Sequence, residues 1–192
     1  MLTENEKKVL RKIMLPDYIS INQIAKECKI TPNGAYKILK KFEREDIVNF
    51  KKISNIKAYY LDFGNIKTKN IMSLALTPKN INSRIKYRVG DLEPLKKLTE
   101  ICILFGSYTT NKKEPNDLDI LFVFDKKNYK KYKKALSKIK EICPIAIHDV
   151  IQTKQDLMKN MKKKDKVILQ ILQTGIVLWG QNTMVEVLKS VN

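Results

Sequence analysis

Five residues in the second half of the chain have types and spacing that could do chemistry together. Asp117 and Asp119 open the run Asp117-Leu118-Asp119-Ile120-Leu121-Phe122-Val123-Phe124, whose composition predicts a strand. Side chains alternate along a strand, so both carboxylates project from one face. Two like charges side by side weaken a fold unless divalent ions join them. Upstream, Ile101 to Phe105 is a continuous apolar run that leads into Gly106-Ser107, as in a strand buried on both faces. A glycine lets backbone amides approach a phosphate closely, and a serine adds a hydroxyl donor. Asp149 stands in a third strand-like run, Ile145 to Ile151. A third carboxylate there would complete a two-metal site and take up a proton from an attacking hydroxyl. His148, the single histidine, points to the face opposite Asp149 and is left out of this expected site.

These residues need a sheet to hold them and helices to cover it. Asp91-Leu92-Glu93-Pro94 is read as a helix start, with acids in the first turn and proline inside it. Leu92, Leu95 and Leu98 would form its buried side. Lys126 to Lys140 reads as a lysine-dense helix with Leu136, Ile139 and Ile142 facing inward. Its lysines form either a solvated face or an electropositive rim for an acidic partner, and Lys162-Lys163-Lys164 carries the same two readings. Trp179 is read as a packing residue.

The ordered set of Gly106-Ser107 after a strand, Asp117-x-Asp119 on the next, and Asp149 on a later one resembles the nucleotidyltransferase superfamily related to DNA polymerase beta. It is most similar to the minimal nucleotidyltransferases of archaea and bacteria. Gly175-Ile176-Val177-Leu178-Trp179-Gly180 resembles a stretch common near the end of those domains. The resemblance covers about residues 91–185. It implies that Gly106 and Ser107 bind the phosphates of a nucleoside triphosphate, with ATP the first choice. It implies that Asp117, Asp119 and Asp149 hold two Mg2+ ions, with Mn2+ as an alternative. The reaction implied is in-line attack of an acceptor hydroxyl on the α-phosphate, releasing pyrophosphate. An acceptor protein of the HEPN toxin type is one implied partner. Many minimal members carry an arginine soon after Gly-Ser, where this chain has Tyr108-Thr109-Thr110-Asn111 followed by Lys112 and Lys113.

The first half has a different pattern. Thr3 and Glu6 form a capping box ahead of Val9, Leu10, Ile13 and Met14. Pro16-Asp17 ends that helix. Ser20 and Gln23 open a second helix with Ile21, Ile24, Ala25 and Cys28. Thr31-Pro32 opens a third, reaching about Glu45 with Ala35, Ile38, Leu39 and Phe42 inward. Two strand-like runs, Ile47 to Ile53 and Lys57 to Leu61, follow around Ser54-Asn55 and suggest a hairpin. This order resembles the winged helix-turn-helix domains of prokaryotic regulators, over roughly residues 3–62. The resemblance implies double-stranded DNA as a partner, with Asn33, Tyr36, Lys37 and Lys40 reaching the major groove and Lys51, Lys52 and Lys57 the backbone. A dimer platform is the other use of such a domain.

The fold class expected is α/β (α+β): a winged helix over 1–63, a helical connector over 64–90 and a minimal nucleotidyltransferase over 91–192. The connector should hold helices near Lys69 to Leu76 and Ile81 to Val89, with a homodimer contact as one option. Hydrophobic residues at 43% and charged residues at 30% suit a globular protein. The net charge of +18 favours polyanions such as nucleic acid or nucleotides. Residues 1–90 carry 19 Lys and Arg against 8 Asp and Glu, and residues 91–192 carry 19 against 12, so charge alone does not localise a nucleic-acid face. Cys28, Cys102 and Cys143 are scattered among apolar residues and read as core. A polar N-terminus and the lack of a long apolar run suggest a cytoplasmic protein with no membrane partner. The rival reading is a nucleotide-sensing DNA-binding regulator whose second domain turns over weakly or not at all.

Overall fold

The computed structural model describes residues 1–15, 19–79, 81–110, 115 and 117–192. The chain forms two compact units, Met1–Leu76 with Val185–Asn192, and Thr77–Met184. Pro16, Asp17, Asn111, Lys112 and Lys113 lie outside the described residues.

In the first unit the helix starts follow from local capping. Helix α1 (Glu4–Ile13) begins at Thr3, whose hydroxyl accepts from the Glu6 amide while the Glu6 carboxylate accepts from the Thr3 amide. A two-residue strand β1 (Ile19–Ser20) leads into α2 (Ile21–Cys28), capped by the Ser20 hydroxyl. Lys29 ends α2 with φ 56°, and its N–H returns to Ala25 and Lys26 carbonyls. Helix α3 (Pro32–Arg44) starts at Thr31 with proline in its first turn, where a missing N–H costs nothing. Strands β2 (Val48–Ile53) and β3 (Ile56–Leu61) form an antiparallel hairpin that turns at Ser54 with φ 53°. β1 pairs with β3, giving the order β1-β3-β2. Three helices followed by such a hairpin make a winged helix. Its core is Val9, Leu10, Ile13, Ile24, Leu39, Phe42 and Tyr59, all fully buried. Helix α4 (Ile66–Leu76) adds Met72 and Leu76.

The second unit begins with α5 (Ser83–Leu92), capped by Asn82. This corrects one expectation. Asp91-Leu92-Glu93-Pro94 ends a helix instead of starting one, because the Asn82 cap lies upstream and Pro94 has no N–H to continue the helical ladder. A short 3-10 turn, Glu93–Leu95, follows. The sheet is β4 (Ile101–Phe105), β5 (Asp117–Val123), β6 (Ala146–Gln152) and β7 (Ile176–Trp179), ordered β6-β5-β4-β7. β4 runs antiparallel to both β5 and β7, while β5 and β6 are parallel. Helix α6 (Tyr129–Ile142) joins β5 to β6, and α7 (Lys154–Lys162) and α8 (Lys166–Thr174) join β6 to β7. Helix α9 (Gln181–Val191) follows β7. This mixed sheet with its helices is the α/β arrangement expected.

On α6 the inward stripe is Tyr132, Leu136 and Ile139. Ile142, expected inward, is exposed, because the helical period carries the stripe on to half-buried Cys143. In the core the Tyr132 ring meets Phe122 edge-on and packs at a tilt against Phe124. Trp179 is buried and donates from Nε1 to the Thr99 hydroxyl at 3.1 Å. Gly180, at φ +87°, lies where any Cβ would overlap the Glu100 carbonyl, so its backbone can close on the sheet only as glycine.

Candidate active site

The candidate site lies where β4 ends and β5 begins. Phe105 of β4 pairs with Asp119 of β5. The chain then makes a 3-10 turn, Gly106–Thr109, with Gly106 at φ 70°. A Cβ on Gly106 would overlap the Asp119 carboxylate oxygen. The glycine therefore serves two needs at once: a left-handed backbone and room for Asp119.

Two hydroxyls stitch the turn. Thr109 Oγ1 donates to the Gly106 carbonyl at 2.9 Å, and Thr110 Oγ1 donates to the Ser107 carbonyl at 2.7 Å. Ser107 Oγ lies 3.5 Å from Asp117 Oδ1. From α5, Arg84 donates to the carbonyls of Tyr108 and Thr110 and stacks over the Tyr108 ring at 4.8 Å. Arg84 carries no local sequence signal of this role, which depends on α5 lying beside a turn more than 20 residues away.

Asp117 and Asp119 share one face of β5, with side-chain exposures of 33% and 27%. Their neighbour from β6 is His148, which pairs with Asp119 in the parallel ladder. Its Nδ1 lies 3.4 Å from Asp117 Oδ2 and 3.6 Å from Asp119 Oδ1. One donor atom from each of the three lies within 4.8 Å of the others. Two carboxylate oxygens and one imidazole nitrogen converging beside a residue that lacks a Cβ fit a divalent metal ion.

Asp149 is placed elsewhere, which corrects the expected third carboxylate. It pairs with Ile120 and so projects from the opposite face of the sheet. There it accepts from the Tyr132 hydroxyl at 3.1 Å and from Lys140 Nζ at 3.0 Å, with Lys133 Nζ at 3.8 Å. Its carboxylate is nearly buried, at 9% exposure. Burial pushes the Tyr132 phenol well above its ordinary value, and the Asp149 charge adds to that rise. Asp149 thus ties α6 to β6. Two lysines of the basic helix are occupied with it.

Residues 94–184 match the family model described as "Polymerase beta, Nucleotidyltransferase". This segment has the general nucleotidyltransferase fold. The matched segment contains the Gly106-Ser107 turn, Asp117 and Asp119 of the nucleotidyltransferase sheet, and both His148 and Asp149. No curated protein matches the chain. Among solved structures, a cysteine-to-serine mutant of Lactococcus lactis ZitR is similar at 15% identity, over 73% of this chain and 74% of that one, with a TM-score of 0.34. Another ZitR structure, described as a zinc-responsive MarR family member, is similar at 17% identity over 50% of this chain and 76% of that one, with a TM-score of 0.30. Likenesses this loose carry nothing from one residue to another.

On the winged helix, Asn33, Tyr36 and Lys37 are exposed on one face of α3. Lys40 continues that face one turn on, held to Glu43 at 2.8 Å. On the hairpin, Lys51, Lys52 and Lys57 are exposed. Lys52 and Lys57 are directly opposed across the two strands, an arrangement that destabilises a hairpin unless an anion lies nearby. Lys57 Nζ also sits over the Phe50 ring at 3.9 Å. Among the described residues, no helix is long and apolar enough to cross a membrane.

Proposed function

We propose that the chain is a divalent-metal-dependent nucleotidyltransferase that moves a nucleoside monophosphate, AMP first among the candidates, from a nucleoside triphosphate to an acceptor hydroxyl. The observation that carries this reading is the pair Asp117 and Asp119 on one strand face, closed over by Gly106, in a segment matching the nucleotidyltransferase family. Asp117 and Asp119 would hold the metal. A bound divalent cation supplies positive charge to the phosphate oxygens at the attacking and leaving positions. The Gly106-Ser107 turn would face the triphosphate with backbone amides and the Ser107 hydroxyl. Arg84 and the two threonines fix that turn. The acceptor oxygen bonds to the α-phosphorus, the bond to pyrophosphate breaks, and the hydroxyl proton passes to the carboxylates. An acceptor protein of the HEPN toxin type is one candidate.

The winged helix would bind double-stranded DNA. Asn33, Tyr36, Lys37 and Lys40 would enter the major groove, and Lys51, Lys52 and Lys57 would contact phosphates, supported by the opposed Lys52 and Lys57. We assign the division of labour to a DNA-binding segment over 1–63, a connector over 64–90 and a catalytic segment over 91–192, working in the cytoplasm.

One observation favours a second reading, a nucleotide-sensing DNA-binding regulator: the strand position beside Asp119 carries an imidazole where a third carboxylate was expected. Asp119→Asn separates the two. Loss of nucleotide transfer with unchanged DNA affinity supports the enzyme. DNA affinity that responds to nucleotide in the wild type, with no transfer by either protein, supports the sensor.

A further inference from the structure

We propose that His148 is itself a metal ligand, and that the site formed with Asp117 and Asp119 takes a first-row transition ion such as Co2+ or Zn2+ with an affinity that depends on the imidazole. This rests on the reading of Asp117 and Asp119 as the metal-holding pair and goes beyond the all-carboxylate site that the sequence suggests.

Three observations carry it. The β5–β6 register sets His148 beside Asp119 and turns Asp149 to the other face, so the donor that the sheet delivers to the pair is nitrogen. Asp149 is not free to swing across, because Tyr132 and Lys140 hold it. The Nδ1 distances of 3.4 and 3.6 Å are longer than a charge-assisted N–H···O bond of about 2.7–2.9 Å. The 3.4 Å distance equals the separation of two donors that share one tetrahedral ion, about 3.3–3.4 Å for metal–ligand bonds of about 2.0–2.1 Å, and the 3.6 Å distance lies slightly beyond it. Imidazole nitrogen adds affinity for transition ions, whereas Mg2+ prefers oxygen and keeps much of its water. His148 therefore separates the two metal classes at this site.

The chain supplies its own probe, since His148 is its single histidine. The experiment uses full-length protein without a histidine tag, labelled with 15N, and titrates it with Zn2+ and separately with Mg2+. The imidazole Nδ1 resonance is expected to shift on saturation with Zn2+ and to move little with Mg2+. In parallel, calorimetric Zn2+ and Mg2+ affinities are compared for wild type, His148→Ala, His148→Asp and Asp117→Ala/Asp119→Ala. His148→Ala should weaken Zn2+ binding by at least about 10-fold and change Mg2+ binding little. His148→Asp should restore an oxygen set and shift preference toward Mg2+. Zn2+ binding that needs Asp117 and Asp119 but leaves the His148 resonance and the His148→Ala affinity unchanged would overturn the histidine ligand and leave the carboxylate pair standing. Metal binding no weaker in the double alanine variant than in wild type would overturn both.

Discussion

Asp119 and His148 are partners in the parallel ladder between β5 and β6, with His148 Nδ1 3.6 Å from Asp119 Oδ1. That pairing decides which side chain of β6 joins the carboxylate pair. It also sends Asp149 into the ion cluster under α6.

Asp149 should accordingly behave as a structural residue. Asp149→Ala would leave the buried Tyr132 hydroxyl and Lys140 without their acceptor, at a cost of about 1–3 kcal/mol in unfolding free energy. Metal affinity of the folded variant should stay near wild type. Urea denaturation and metal calorimetry on the same sample check both. Unchanged stability with lost metal binding would move Asp149 back into the site.

Gly106→Ala should damage the site from the backbone side. The substitution places a Cβ against the Asp119 carboxylate and asks alanine to hold φ 70°. The backbone strain costs about 1–3 kcal/mol, and displaced Asp119 should weaken metal binding. Thermal unfolding and metal calorimetry are the readouts. Gly90→Ala is the control, because nothing lies within 4 Å of a Cβ there.

Acid should erode the first unit partly through Glu6. Burial alone would raise its carboxyl, but the Lys41 hydrogen bond at 2.7 Å and the Thr3 cap hold it below the ordinary value. A depressed carboxyl pKa stabilises the fold above the unfolded value, about 4.3. That contribution fades as pH falls through the lower folded value. Wild type should therefore lose more stability between pH 6 and pH 3 than Glu6→Gln. Equal losses in denaturation curves at the two pH values would show that Glu6 contributes nothing to the acid sensitivity.

DNA binding, if the wing and α3 form the face, should be strongly salt-dependent. Removing one phosphate contact, as in Lys52→Gln, should lower the slope of log affinity against log salt by about 0.9. Lys37→Glu should weaken binding more than Lys52→Gln, since it puts a negative charge on the face set toward the groove. Fluorescence anisotropy with duplex DNA at several salt concentrations measures both. Affinities unaffected by either change would leave the winged helix to a dimer-platform role.

Much of the fold was legible because its signals are local. Thr3 with Glu6, Ser20, and Thr31-Pro32 each announce a helix start from within four residues, and β4 and β5 are apolar runs of strand length. Asp117 and Asp119 share a face by alternation alone. The identity of their third neighbour was not legible in the same way. Alternation says that His148 and Asp149 face opposite sides, but which one faces Asp119 is set by the register of two strands about 30 residues apart. Arg84 was hidden for the same reason, since only packing brings α5 to the Gly106 turn. Acids such as Asp91 and Glu93 favour a first turn, but Asp91 sits in the last turn of α5, where Arg88 holds it at 2.7 Å, and the cap that starts the helix, Asn82, lies nine residues before it.

The chemistry proposed for the second unit turns on metal-dependent nucleotidyl transfer at Asp117 and Asp119. Its most direct test is incubation of the full chain with α-phosphate-labelled ATP, CTP, GTP and UTP, a divalent metal and host lysate, beside the Asp117→Ala/Asp119→Ala variant. Label should move from one nucleotide onto a lysate component, with pyrophosphate released, in wild type only. Saturable nucleotide binding with no transfer under any metal, or equal transfer by the double variant, would contradict it.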